Sequence, residues 1–206
     1  MKVTQIVELS KTRSKVYIEQ EFAFVLYKGE LRLYQIREGE DLNEEDYRRI
    51  MEEVLPKRAK LRAMNLLKER EYTVAQLRSK LSQGYYPDNV IQEALDYVEA
   101  YHYTDDLRYA VSYITYNENI KSRKRIEQDL FSKGISKETV VQAWSEWEDQ
   151  GGTSDEQAMI RKLLEKKHYN PECTDYKEQQ KLFVFLMRKG FSGETLRKVM
   201  HADYDI

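Results

Sequence analysis

A chain of 206 residues with 41% hydrophobic side chains can bury one large core or several small ones. A 34% charged fraction with only 8 glycines and 3 prolines favours helices over an all-β fold, and a net charge of −2 by itself points to neither nucleic acid nor membrane. The apolar runs FAFVL (22–26) and LFVFLM (182–187) fall far short of the ~18 residues a membrane span needs, and the single cysteine, Cys173, excludes an internal disulfide and a cysteine-based zinc site within one chain.

In chain order, KVTQIVEL (2–9) and KVYIEQEFAF (15–24) alternate as two strands joined by the polar turn SKTRS (10–14), which predicts a small β-hairpin. LYKGELRLYQIREGE (26–40) reads either as a third strand or as a short helix. LNEEDYRRIMEEVL (42–55) reads as a helix capped by Asn43 and ending near Pro56. These first 55 residues are too few to be stable alone and are expected to dock on the helices that come after residue 55.

From there the chain repeats itself. LSQGYYPDNVIQEAL (81–95), LFSKGISKETVVQAW (130–144) and LMRKGFSGETLRKVM (186–200) align without gaps on Leu81, Leu130 and Leu186. Apolar residues recur four before the leucine (Leu77, Ile126, Leu182), ten after it (Ile91, Val140, Leu196) and fourteen after it (Leu95, Trp144, Met200). These are helical spacings on either side of a break. At the break, Gly134 and Gly190 suit the left-handed residue that ends a helix, Ser136 and Ser192 suit the next cap, and Glu138 and Glu194 meet the positive end of the helix dipole. The first copy uses other parts, with Gly84 one residue early and Pro87 at the helix start. A further amphipathic stretch precedes each copy: AKLRAMNLLKER (59–70), DLRYAVSYITYN (106–117) and DEQAMIRKLLEKK (155–167). The expected fold is mainly α: three tandem three-helix repeats (56–104, 105–153 and 154–206) stacked into an elongated curved array behind a hairpin-plus-helix extension (1–55). The extra length of the third repeat is expected within KHYNPECTDYK (167–177).

Charge is distributed unevenly. Residues 57–80 carry eight basic and two acidic side chains and 81–106 none and six; residues 107–137 carry seven and three and 138–157 none and six. Basic residues thus mark the first two helices of a unit and acidic residues the third. Either the helices attract one another within the fold, or a basic ridge follows phosphates while an acidic ridge faces a basic partner.

YHYTDDLRYAVSYI (101–114) resembles the signature of the RecX family, in which Tyr-x-Asp-Asp precedes an aromatic-alanine pair, here Tyr109 and Ala110. KSRKRIEQDLFSKGIS (121–136) is similar to that family's second-repeat motif, and the resemblance covers the whole chain. Tyr109 departs from the more usual phenylalanine. The resemblance implies a monomeric regulator of the RecA recombinase, without cofactor, that binds the RecA nucleoprotein filament and mostly inhibits it in DNA repair and the SOS response, with single-stranded DNA as a secondary contact.

The residues themselves nominate contacts. KSRKR (121–125) is the densest basic run, which makes Lys121, Arg123, Lys124 and Arg125 candidates for phosphate or acidic-partner contact at a helix start. Lys57, Arg58 and Arg62 add the basic window of the first repeat. Tyr116 is the tyrosine best placed to stack a base, whereas Tyr109 and Tyr113, one turn apart, read as packing. Asp105, Asp106, Tyr109, Ala110, Gly134 and Gly190 form the structural signature, with Thr104 or Asp105 as a helix cap. Catalysis finds no support: His102, His168 and His201 are scattered, and there is no Walker-type glycine loop. The start of the chain lacks the apolar stretch of a secretion signal, so a cytoplasmic protein with no membrane partner is expected. Two rival readings remain, a helix-turn-helix DNA reader and a generic helical scaffold. The first is opposed by Asp88, Glu93, Asp96 and Glu99, and by Glu138, Glu146, Glu148 and Asp149, on the helix that would enter the groove.

Overall fold

A computed structural model describes residues 1–170 and 174–200; Cys173, His201 and the proline of the Asn170-Pro171 step lie outside the described residues. The chain forms two compact units, Met1–Asp105 and Asp106–Ile206.

The first unit opens with three antiparallel strands in the order β1 (Val3–Glu8), β2 (Arg13–Ile18) and β3 (Glu21–Tyr27). The expected two-stranded hairpin is therefore corrected to a three-stranded meander. Its second strand is cut by Glu19 and Gln20, whose φ values of 52° and 72° make the tight two-residue turn that matches sheet twist. Neither residue is the glycine or asparagine that usually marks such a turn. Along β2, Ser14, Val16 and Ile18 point into the core, while Arg13, Lys15 and Tyr17 lie on the other face. The ambiguous segment is a helix, α1 (Lys28–Leu33), whose Glu30 carboxylate accepts from the Tyr27 N–H at 2.7 Å.

Asn43 caps α2 (Glu44–Arg49), its Oδ1 accepting from the Asp46 N–H at 2.7 Å. The helix does not end near Pro56. It runs through a π turn (Ile50–Val54) into α3 (Leu55–Glu69). Proline has no N–H to give and its ring crowds the carbonyl four residues back; here the Leu55 N–H bonds the Ile50 carbonyl five residues back, and this wider turn accommodates Pro56. Thr73 and Gln76 cap α4 (Val74–Ser82) reciprocally, and Pro87 stands at the cap of α5 (Asp88–Ala100). The inner face of the sheet, including Val16, Phe24 and Leu26, shares one core with Ile50, Leu55, Leu77, Leu81, Ile91 and Leu95, so the extension and the first repeat bury each other.

The second unit comprises α6 (Asp106–Asn117), α7 (Arg123–Ser132), α8 (Lys137–Asp149), α9 (Glu156–Lys166), α10 (Tyr176–Arg188) and α11 (Gly193–Met200). It holds two cores. One gathers Ala110, Ile114, Ile126, Leu130, Val140, Trp144 and Trp147; the other gathers Ile160, Leu164, Phe183, Leu186, Phe191, Leu196 and Met200. The three repeat leucines are buried, one in each of the three cores, each contributing roughly 1.5–3 kcal/mol by burial. In the third copy Phe183 takes the buried place and its neighbour Leu182 lies half-exposed.

Gly134 and Gly190 are left-handed, at φ 84° and 94°. Ser136 and Ser192 cap α8 and α11 by accepting from the N–H groups of Thr139 and Thr195, both at 3.1 Å. In the first copy the left-handed residue is not a glycine but Tyr85, at φ 64°. Gly84 keeps its place for another reason: a Cβ there would lie 2.9 Å from the Tyr86 ring.

Candidate anion-binding cleft

The basic run KSRKR becomes a site through the residue in its middle that carries no charge. Ser122 is buried at the cap of α7, accepting from the Arg125 N–H at 3.3 Å and donating to the Lys189 carbonyl at 2.9 Å. The start of α7 is thereby fastened to the end of α10. Only glycine fits where they meet: a Cβ on Gly190 would sit 2.5 Å from Ser122 Oγ and 3.2 Å from the Arg125 nitrogen. Beside this junction opens a cleft of about 370 Å³, lined by Ile120, Lys121, Ser122, Arg125, Arg188, Lys189 and Phe191. Four of those seven side chains are cationic.

Two of the four are already held. Lys121 Nζ donates to the Tyr113 hydroxyl at 2.8 Å and to Asp129 at 3.0 Å, and Arg125 Nε lies 3.2 Å from the other oxygen of Asp129. The Tyr113 bond raises the pKa of Lys121 against a smaller effect of burial, and Asp129 reinforces it. Burial works to raise the pKa of Asp129, yet the bonds from Lys121 and Tyr113 and the nearby Arg125 together hold it below the usual carboxylate range. Two cations thus share one carboxylate and the cluster keeps a net positive charge. Lys189 lies 5.1 Å from the Phe185 ring and Arg188 is exposed.

The other sequence candidates fall in different places. Arg123 is fully engaged: it pairs with Glu127 at 3.3 Å and Glu148 at 3.1 Å, lies 4.4 Å over the Trp144 ring, and gives its backbone N–H to Glu156 at 2.8 Å. That carboxylate already occupies the helix start, so an anion in the cleft would be met by side chains. Lys124 is exposed and Tyr116 is 80% exposed, outside the residues that line the cleft. In the first unit Arg58 binds Glu30, donates to the Val25 carbonyl at 3.3 Å and covers Tyr27 at 4.7 Å, which makes it a tie between α3 and the sheet; Lys57 and Arg62 are exposed. Among the signature residues, Ala110 is buried, and Tyr109 stacks on Tyr113 with centroids 6.3 Å apart and planes at 11°. Asp105 and Asp106 stand at the start of α6, and the neighbouring Thr104 hydroxyl donates to the Tyr72 carbonyl at 2.7 Å. The charge blocks partly neutralise each other inside the repeats, through Lys60 with Glu93 at 2.8 Å and Arg123 with Glu148.

Sequence reasoning missed Arg188, Lys189 and Ser122. The alignment of Lys133 with Lys189 ahead of the turn glycines was a partial signal, but only the junction between the start of α7 and the end of α10 brings these cations to Lys121 and Arg125.

The comparisons with known proteins meet this geometry from outside. Residues 59–97 match the first three-helix domain of RecX, and residues 154–200 match the third. Over these two repeats the chain is similar to the RecX family. The regulatory protein RecX of Clostridioides difficile (strain 630) is 28% identical over 203 residues, covering 94% of this chain and 93% of that relative. The regulatory protein RecX of Caldanaerobacter subterraneus is also 28% identical over 203 residues, covering 98% and 99%. A crystal structure of regulatory protein RecX superposes with a TM-score of 0.63 at 23% identity, over 98% of this chain and 99% of that one. A crystal structure of RecX from Lactobacillus salivarius gives 0.56 at 21%, over 72% and 96%. The RecX relatives are named regulatory proteins rather than enzymes, and the two structures share the fold. Among the described residues, no helix is long and apolar enough to cross a membrane.

Proposed function

We propose that this chain regulates a RecA-type recombinase by binding, as a monomer, the filament that the recombinase forms on single-stranded DNA, and that binding lowers its ATP hydrolysis and strand exchange. The observation that carries the reading is the match of separate repeats, 59–97 and 154–200, to RecX domains, in a chain whose relatives along nearly its whole length are regulatory proteins. The division into an extension (1–55) and three repeats belongs to the same reading. Physically, the cleft supplies a way to hold a filament: a nucleoprotein filament repeats phosphates and acidic side chains along its length, and a cleft with four cations, two of them sharing one carboxylate, attracts either.

Purified chain titrated onto RecA assembled on single-stranded DNA tests this directly. ATP hydrolysis and filament length are expected to fall at sub-stoichiometric ratios; unchanged hydrolysis and length at a stoichiometric ratio would return the chain to the class of helical scaffolds for some other protein.

A further inference from the structure

The outer face of the sheet carries side chains that belong to no core cluster and not to the cleft, Val25 alone among them being buried. Residues opposite one another across strands share a face, and the register sets Gln5, Tyr17 and Phe22 in one row, Val7, Lys15 and Val25 in the next, and Arg13 beside Tyr27. None of the eight is acidic. The rings touch: Phe22 lies 5.8 Å from Tyr17 at 70° and 6.4 Å from Tyr85 at 67°, and Lys15 Nζ stands 4.1 Å from the Tyr85 ring. Phe22 is 41% and Tyr85 37% exposed, Tyr17 is half-buried, and Tyr27 farther along the face is 44% exposed.

Aromatic rings on a strand face, interleaved with cations and free of carboxylates, are what an unpaired nucleic-acid strand needs: every base has a π-face to stack, and every link has a phosphate. A lipid surface would be met by charge and apolar bulk without a row of touching rings, and an acidic protein would not need the rings. We propose that this face is a stacking platform for single-stranded nucleic acid, with bases against Phe22, Tyr17 and Tyr85 and phosphates against Lys15 and Arg13. The proposal rests on the regulatory reading only for the presence of single-stranded DNA at the place of action; the platform itself needs no recombinase.

The test uses the full chain and dye-labelled oligothymidine without recombinase, followed by anisotropy. Phe22→Leu keeps apolar bulk, removes the ring and is expected to weaken binding about tenfold. Phe22→Trp is expected to bind like the parent and to show emission quenched by oligothymidine but not by inorganic polyphosphate, the mark of stacking rather than charge. Parent-like affinity of Phe22→Leu, unquenched emission of Phe22→Trp at saturation, or a parent that does not bind at all would each overturn the platform. If Phe22→Leu binds like the parent and still inhibits the recombinase, the platform falls and the regulatory reading stands. If Phe22→Leu loses the oligonucleotide while the parent leaves the recombinase untouched, the reverse holds.

Discussion

The turn after α4, in the first unit, and the turn after α10, in the second, are the same piece of backbone filled by opposite means. Both need a left-handed residue, at φ 64° and 94°, but one is Tyr85 and the other Gly190. At Gly190 another helix start presses in and leaves no room for a Cβ. At Tyr85 the outer face of the sheet lies alongside, and the ring meets Phe22 and Lys15. A left-handed residue with a side chain costs about 1–3 kcal/mol, while an aromatic pair and a cation over a ring contribute about 0.5–1.5 and 0.5–1 kcal/mol, so the strain and the contacts nearly offset. A repeat therefore fixes the conformation of its turn, and whatever packs on the turn fixes the residue.

The largest effect that can break this comparison is Gly190→Ala. Left-handed strain and the encounter with Ser122 Oγ together are expected to destabilise the second unit by about 3 kcal/mol. Trp144 and Trp147, the only tryptophans, both lie in a core of that unit, so their fluorescence during chemical unfolding reads it cleanly. In a Ser122→Gly background the cost of Gly190→Ala should shrink; equal costs would mean that the close approach is not what selects glycine. Next in size is Tyr85→Ala, which keeps the strained backbone, loses the ring contacts and is expected to cost about 1.5 kcal/mol in the first unit, followed by hydrogen exchange of β2 and β3 amides. Tyr85→Gly loses the same contacts but relieves the strain and should fall within about 1 kcal/mol of the parent. If Tyr85→Gly proved as costly as Tyr85→Ala, the left-handed strain would not be the opposing term.

The smallest effect concerns the carboxylate beside the cleft. Asp129 has its pKa lowered by the fold, so the stability it contributes is fully present above its ordinary value of 3.8 and is lost as pH falls through the lower folded value. Asp129→Asn should flatten the acid limb of stability against pH and cost no more than about 1 kcal/mol at neutral pH. An acid limb identical to the parent's would show that the Lys121–Asp129–Arg125 cluster does not form in solution.

Much of the helical frame was legible because it is written locally and three times over. Leu81, Leu130 and Leu186 announce three buried positions, and Asn43, Ser136 and Ser192 announce caps by type and place. The misses have local explanations too. A turn at Glu19-Gln20 offers no glycine or asparagine to read, and Pro56 reads as a stop unless a π turn is foreseen. The sites were less legible. Lys121 and Arg125 stand out in a basic run, but that run also holds Arg123, which the fold spends on Glu127, Glu148 and Trp144. Arg188 and Lys189 join the cleft only because a buried serine far away in sequence ties α7 to α10. Nor does the alternation of β2 reveal that its outer residues will meet Phe22 and Tyr85, since that depends on a turn hidden from the sequence.

The cleft of the second unit is proposed to hold the filament. Co-sedimentation of the chain with RecA filaments on single-stranded DNA at physiological salt, comparing the parent with Arg188→Glu/Lys189→Glu, tests it most directly. Both residues are exposed, so the double reversal should leave tryptophan-monitored unfolding unchanged while weakening filament binding by at least about tenfold. Parent-like binding by a folded double variant would show that the filament is held elsewhere.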